Sequence, residues 1–382
     1  MKIAVITETF YPFKGGSAKR YYEVLRRLAK RNYEIDLYTV RLNKEWPTYE
    51  NIHGINVYRT EIPLINYITK DGFRSISQVL LYAIWAIKKT SNKDYQIIEA
   101  NHCPIFPVMS SWIRTKMNKI PLSVTFHEVW YSHWYWYSPT IFHVPLGIIL
   151  EKIYVKMPNI GVAVSNTTAL RLISLLKMDK SKVVVIPNGV DLELFNRIKS
   201  ERKHNKIVYI GRLNWHKKID LLIDAISIAK KHINDIHLEI IGDGPMKIKY
   251  EEYIKKKGLQ NCITILGDVS DEELVKRLKS AYVYVLPSIR EGQSITTLEA
   301  MAAGTPQVVV SVEGNGASDL IKESKSGLIA KLSPYHLAEA ILQIMNDRNL
   351  WLKLQQNGYE FIKRYDWNNI AEEYDRVYRN LI

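Results

Sequence analysis

Cysteine is nearly missing from this sequence of 382 residues: Cys103 and Cys262 are the only two. They lie far apart and in no metal-ligand spacing, which excludes a disulfide framework and a cysteine-based zinc site. Both read as small buried hydrophobes. Long apolar runs are also missing. The nearest, Ile76 to Ile87 and Pro139 to Leu150, are broken by polar residues and fall short of the roughly 18 residues that a membrane span requires. The opening run Met1 to Thr7 stops at Glu8, too early for a secretory leader, and reads as a buried strand. No dinucleotide fingerprint and no P-loop spacing occurs, so oxidoreductase and ATPase readings lose their support. No nucleic-acid recognition motif occurs either, and no nucleic-acid partner is expected.

What is present is a globular composition, 47% hydrophobic and 24% charged, long enough for two domains. The net charge of +14 is unevenly spread. Residues 1–190 hold 25 Lys and Arg against 13 Asp and Glu, whereas residues 191–382 hold 28 against 26. A field of that sign in the first half suits an anionic partner.

Apolar runs that read as buried strands recur at Lys2 to Thr7, Glu34 to Val40, Gln96 to Ala100, Leu122 to Phe126, Gly161 to Ser165 and Val183 to Ile186. Helical spacing between them, as in Ala18 to Arg31 and Asn166 to Lys177, gives the βαβ pattern of a parallel sheet. After the turn-rich Pro187-Asn188-Gly189-Val190-Asp191 and the polar stretch Arg197 to Lys206, the alternation resumes. The second set is Lys206 to Ile210, His237 to Ile241, Cys262 to Leu266, Val283 to Leu286 and Gln307 to Val312. From Ser333 the chain reads as helical, with Pro334 at a helix start and a last helix over Trp367 to Leu381. The expected fold class is α/β: two doubly wound, Rossmann-like domains facing across a cleft, residues 1–190 with about 365–382 and residues 191–364. Such sheets bind ligands beyond the carboxyl ends of their strands.

One strand end stands out. Val285-Leu286-Pro287 is followed by Glu291-Gly292-Gln293-Ser294-Ile295 and then by Glu299 inside a helix. The free N–H groups of that helix start suit a phosphate. Carboxylates before and within the helix can accept hydroxyl hydrogen bonds on either side of the anion. Alone, the pair would be two solvated acids. With Leu298-Glu299-Ala300-Met301-Ala302-Ala303-Gly304-Thr305-Pro306 attached, the segment closely resembles the retaining glycosyltransferases of family 4, which have the GT-B fold.

The resemblance implies a transferase that uses a nucleotide-diphosphate sugar. It places Glu291 on the transferred sugar, Glu299 on the ribose, and the amides of Gln293, Ser294 and Ile295 on sugar and phosphate. Arg212 and Lys217, in and after Gly211-Arg212-Leu213, fall to the diphosphate, where a guanidinium and an ammonium neutralise leaving-group charge. The turn at Gly242-Asp243-Gly244 lies near the base, or its glycines are turn punctuation. In the first domain Gly15 and Gly16 approach the phosphates and His127 the donor sugar. Two departures from the family pattern are Gln293, where Phe is common, and Lys218, where Gly is usual. UDP, GDP and ADP donors all stay compatible.

Metal-dependent transferases of the other main fold use Asp-x-Asp; this chain has none, and Asp191-Leu192-Glu193 reads as a local cap. No metal or other cofactor is expected. On the acceptor side, Glu8 and Lys14 flank the Gly-Gly loop, and Trp130, Tyr131 and Trp134 belong to an aromatic stretch suited to sugar faces, membrane interfaces or packing. Lys19, Arg20, Arg26, Arg27, Lys30 and Arg31 give the first helix a basic face, read as the surface that docks on anionic membrane. The acceptor is expected to be a lipid or lipid-linked glycan, with the protein cytoplasmic or peripheral at the inner membrane face. A soluble sugar or small-molecule acceptor, a nucleotide-sugar epimerase on the same fold, and a binding protein without catalysis are the alternatives.

Overall fold

The computed structural model describes residues 1–68, 74–137 and 143–382; Ser138 and Pro139, at the edge of the aromatic stretch, lie outside the described residues. The chain forms two compact units, Met1–Pro187 with Trp367–Ile382, and Asn188–Asp366.

The first unit runs β1 (Lys2–Ile6), α1 (Gly16–Ala29), β2 (Glu34–Thr39), β3 (Tyr49–Ile52), β4 (Ile55–Arg59), α2 (Ile76–Thr90), β5 (Ile97–Asn101), α3 (Ile105–Asn118), β6 (Leu122–Phe126), α4 (Trp134–Tyr137), α5 (His143–Tyr154), β7 (Ile160–Ala163), α6 (Asn166–Ser174) and β8 (Val183–Val185). The second runs α7 (Leu192–Arg197), β9 (Lys203–Ile210), α8 (Ile219–Ala229), β10 (His237–Ile241), α9 (Lys247–Lys256), β11 (Ile263–Gly267), α10 (Asp271–Ser280), β12 (Ala281–Leu286), α11 (Ile295–Ala302), β13 (Gln307–Val310), α12 (Gly316–Ser324), β14 (Gly327–Ala330), α13 (Pro334–Asn346) and α14 (Arg348–Ile362). The last helix, α15 (Trp367–Leu381), returns to the first unit.

The first sheet has the order β3-β4-β2-β1-β5-β6-β7-β8, with only β3 antiparallel to its neighbour. The second, β11-β10-β9-β12-β13-β14, is parallel throughout. Strands covered on both faces read as near-continuous apolar runs, as β1 and β12 do. The hairpin β3-β4 was not expected; β3 is half exposed, β4 alternates buried and partly buried residues, and the turn is made by His53 and Gly54, both with positive φ.

Successive residues of β5 face opposite sides of the sheet. Ile98 and Ala100 join Val79 and Tyr82 of α2, Val108 of α3, Tyr154 of α5 and Leu172 of α6 in one core cluster. Glu99, fully buried on the other side, accepts from Tyr21 of α1 (3.1 Å), Thr125 (2.6 Å) and Tyr378 of α15 (3.2 Å). Burial pushes its carboxyl above the ordinary range.

The structure corrects the reading of α1 as a membrane-facing basic helix. Arg20 is fully buried and donates to Ile186 O (2.6 Å), Pro187 O (2.7 Å) and Tyr374 Oη. Arg27 is buried on Glu23 and Asn368, Arg26 pairs with Glu23, and Arg31 pairs with Glu372. Of the six cations only Lys30 is fully exposed. Guanidiniums suit such buried multidentate bonding, so the basic spacing fastens α1 to α15 and to its own Glu23. Cys262 is buried as expected, whereas Cys103 is half-buried.

Candidate active site

In the second unit three neighbouring strands, β10, β9 and β12, end on the residues that the sequence singles out. β9 leads into Gly211-Arg212-Leu213 and a 3-10 turn, Trp215–Lys217. β12 leads into Pro287 to Gln293. The two segments are stitched together, Ile289 N donating to His216 O at 3.0 Å. That stitch brings Lys217 Nζ to 2.6 Å from Glu291 Oε1. Both side chains are mostly buried, at 16% and 13% exposure. Behind them Asn315 Nδ2 donates to Ser288 O at 2.7 Å and Gly316 N to Glu291 O at 2.8 Å. A Cβ on Gly316 would lie 2.1 Å from Gly292 O, so only glycine lets α12 back the Glu291 loop.

Helix α11 follows directly. Ser294 caps it, its Oγ accepting from Thr297 N at 3.1 Å. The earlier N–H groups of the first turn have no carbonyl within the helix to bond. Glu299, in the second turn, is buried. Gln293 is turned the other way: its side-chain oxygen accepts from Asn188 N, and its backbone O accepts from Asn188 Nδ2 at 3.2 Å. The Gln at this position thus holds the first residue of the unit, a role no sequence spacing showed.

Arg212 is exposed on the turn after β9. Gly242 packs against that turn: with φ +129, its missing Cβ would lie 2.2 Å from Gly211 O. Gly244 likewise lies against Leu213, whose N donates to Asp243 O at 2.9 Å. These glycines are accounted for by two backbones in contact. Lys218, where the family pattern has Gly, takes a left-handed conformation with φ 51, which explains the usual glycine. Asp191 caps α7 through Leu194 N at 3.0 Å, as its sequence reading requires.

In the first unit, β1, β5 and β6 are adjacent and end on Glu8, His102 and His127. Glu8 is buried and ion-paired, both carboxylate oxygens accepting from Arg74; the acid assigned to the acceptor side has a partner that the sequence did not show. Lys14, Gly15 and Gly16 are exposed. Gly15 is the N-cap of α1 and offers no side-chain cap, so the first N–H groups of that helix lack the partner that Ser294 gives α11.

His127 packs edge-on against Tyr21, and its backbone N donates to His102 Nδ1 at 3.3 Å. Its Nε2 is enclosed with no hydrogen-bond partner among the described residues. Burial, then the neighbouring His102 and Arg20, hold the imidazole well below its ordinary pKa, so it is neutral near pH 7. The aromatic stretch beyond it is not an open loop. It forms a 3-10 turn, Tyr131–His133, and then α4. Trp130 and Trp134 lie 5.0 Å apart between ring centroids, and the Trp134 indole covers Gly147 of α5, where a Cβ would meet it at 2.6 Å.

Residues 191–361 match the family model described as Glycosyl transferases group 1, and residues 14–194 match that described as Glycosyltransferase Family 4. The chain belongs to glycosyltransferase family 4. It is 28% identical to an uncharacterized glycosyltransferase of Methanocaldococcus jannaschii over 99% of this chain and 98% of that one. It is also 28% identical to the phosphatidyl-myo-inositol mannosyltransferase of Mycobacterium leprae, over 75% of this chain and 74% of the other. The solved sucrose-phosphate synthase from Thermosynechococcus elongatus superposes with a TM-score of 0.84 at 21% identity, covering all of this chain and 98% of that one. The fold is GT-B.

Two residues of this glycosyltransferase escaped the sequence reading. His102 stands at a strand end next to His127, one residue past β5, where the strand-end rule could have found it. Glu151 of α5 is buried; its carboxylate accepts from Trp130 N (2.9 Å), Tyr131 N (2.7 Å) and Trp134 Nε1 (3.1 Å). It fixes all three of the aromatic residues assigned to the acceptor side. Nothing in a lone glutamate 20 residues downstream signals that role.

Proposed function

We propose that this glycosyltransferase moves a sugar from a nucleotide-diphosphate sugar to a lipid or lipid-linked glycan, with retention at the anomeric carbon and without a metal. The observation that carries the donor assignment is the Lys217–Glu291 pair beside the start of α11. An ammonium has three donors. One bond to Glu291 fixes the Lys217 head and leaves two donors for phosphate oxygens, while Glu291 keeps an oxygen for a sugar hydroxyl.

Arg212, Lys217 and the N–H groups from Gln293 to Ile295 then stabilise the departing diphosphate. In the first unit, Gly15 and Gly16 at the start of α1, which has no side-chain cap, offer N–H groups suited to an anion. Glu299 takes the ribose hydroxyls, and neutral His127 can hydrogen-bond the transferred sugar through Nε2. The bond from the anomeric carbon to the diphosphate oxygen breaks, and the acceptor oxygen bonds to that carbon from the same face. The acceptor's hydroxyl proton passes to the leaving diphosphate, so no side-chain nucleophile is needed.

A lipid acceptor is favoured by the mannosyltransferase relative, whose name specifies a phosphatidylinositol, and by the cationic first half. No helix among the described residues is long and apolar enough to cross a membrane; the proposed place of work is the inner membrane face, with the protein peripheral. A thermal-shift panel of UDP, GDP and ADP sugars, followed by product analysis on lipid and soluble acceptors with and without chelator, tests the reading. One donor should stabilise the protein, and only acceptor plus donor should give product. Conversion of donor alone would favour an epimerase, and a strict need for divalent metal would contradict the metal-free assignment.

A further inference from the structure

With α1 fastened to α15, a membrane-facing surface has to be sought elsewhere in the first unit. Helices α2, α3 and α5 lie side by side on one face of the sheet, α2 against α3 and α3 against α5, and their inner sides share one core cluster. Their outer sides therefore point away from the sheet together. Those outer sides are apolar: Leu80 and Ile84 on α2, Ile113 and Met117 on α3, and Leu146 and Ile149 on α5 are all between 40% and 71% exposed. Scattered exposed apolar residues need no explanation, whereas a stripe repeated on three neighbouring helices marks a surface that something covers.

Charge says what covers it. Neither α2 nor α3 contains an acid, and the single acid of α5, Glu151, is buried under the aromatic turn. Lys88, Lys116, Lys152 and Lys156 are exposed on or just after the same helices. Glu61, ahead of α2, is paired with Lys89. A second copy of this chain would bring the same lysines against these and meet like charge. An anionic bilayer meets lysines with phosphates and the apolar stripe with its acyl boundary.

We propose that the outer faces of α2, α3 and α5 dock the first unit on an anionic lipid surface. This names the face for the peripheral placement proposed above and rests on that reading for the identity of the acceptor alone. It also gives α5 two sides with one purpose. The outer side meets lipid, and the inner side, through Gly147 and Glu151, holds the aromatic turn that follows His127.

Co-sedimentation of the full chain with phosphatidylcholine vesicles, with and without one third phosphatidylglycerol, at low and high salt, tests the proposal. Binding to the anionic vesicles should exceed binding to the neutral ones by at least about tenfold at low salt and weaken as salt rises. Combining Ile84→Gln, Met117→Gln and Ile149→Gln, or Lys88→Glu, Lys116→Glu and Lys152→Glu, should remove it, while Lys30→Glu on α1 should not. Each variant is checked by its thermal shift with the nucleotide sugar, so that a folded, donor-binding protein that fails to dock is distinguished from an unfolded one. Equal binding to both vesicle types, or unimpaired binding by both triple variants, overturns the proposal. So does a dimer in sedimentation velocity that the apolar variant breaks while vesicles stay unbound. A protein that docks but binds no nucleotide sugar would leave the surface standing and sink the donor reading instead.

Discussion

Lys217 and Glu291, separated by 74 residues, meet at 2.6 Å where the turns after β9 and β12 are bonded to each other. If Lys217 serves the leaving diphosphate, Lys217→Ala should lower kcat by about 10²–10³ and change nucleotide binding little. Glu299→Ala should do the reverse, weakening nucleotide binding in calorimetry by roughly tenfold or more, the loss of a charge-assisted hydrogen bond. Unchanged activity in both variants would sink the site assignment.

Glu151 acts through the aromatic turn. Glu151→Gln keeps the shape but removes the charge that three donors share, and should cost about 1–3 kcal/mol in chemical denaturation. Steady-state kinetics should show the acceptor KM rising with the donor KM unmoved. An equal rise in both, or a fall in kcat alone, would mean that the residue is structural alone.

The neutral state of His127 sets a pH dependence. Its folded pKa is depressed, so below about pH 6.5 the unfolded chain takes up the proton first. The stability tied to neutral His127 is complete above about pH 6.5 and is lost as pH falls towards the folded value, with a slope of up to about 1.4 kcal/mol per pH unit. His127→Gln should flatten that slope in urea titrations between pH 7 and 5. An unaltered slope would place the titration elsewhere.

At Gly242 the positive φ and the contact with Gly211 O act together. Gly242→Ala should destabilise by about 2–4 kcal/mol, since strain in that backbone region and an overlap with main chain both oppose it. Denaturation midpoints with an unchanged m-value would report it.

Strands buried on both faces were legible because they leave short, mostly apolar runs between helical segments: β6 and β10 have the bounds that the sequence suggests, as does α15. The helix expected to start near Ser294 does so, with Ser294 as its N-cap. What stayed hidden depends on partners distant in sequence. The basic spacing of α1 looks the same whether it faces water or, as here, Tyr374, Asn368 and Glu372. The Lys217–Glu291 and Asn188–Gln293 contacts are products of topology, which no local pattern encodes. The strand β3 was missed because its half-exposed, polar residues show neither a buried run nor a clean apolar alternation; β4 does alternate, with Ile55 and Val57 in the core, a signal that went unused.

The return of α15 to the first unit makes the second unit an insertion between two parts of the first. On the ribosome, Glu99 and Arg20 emerge long before Tyr374 and Tyr378 exist to bond them. At roughly 5–20 residues per second the wait is on the order of fifteen to seventy seconds. The unit made first is thus the last to be completed. During that interval its unfinished α1 face is a surface for a chaperone to guard, while the second unit, one continuous stretch of chain, can fold as it appears.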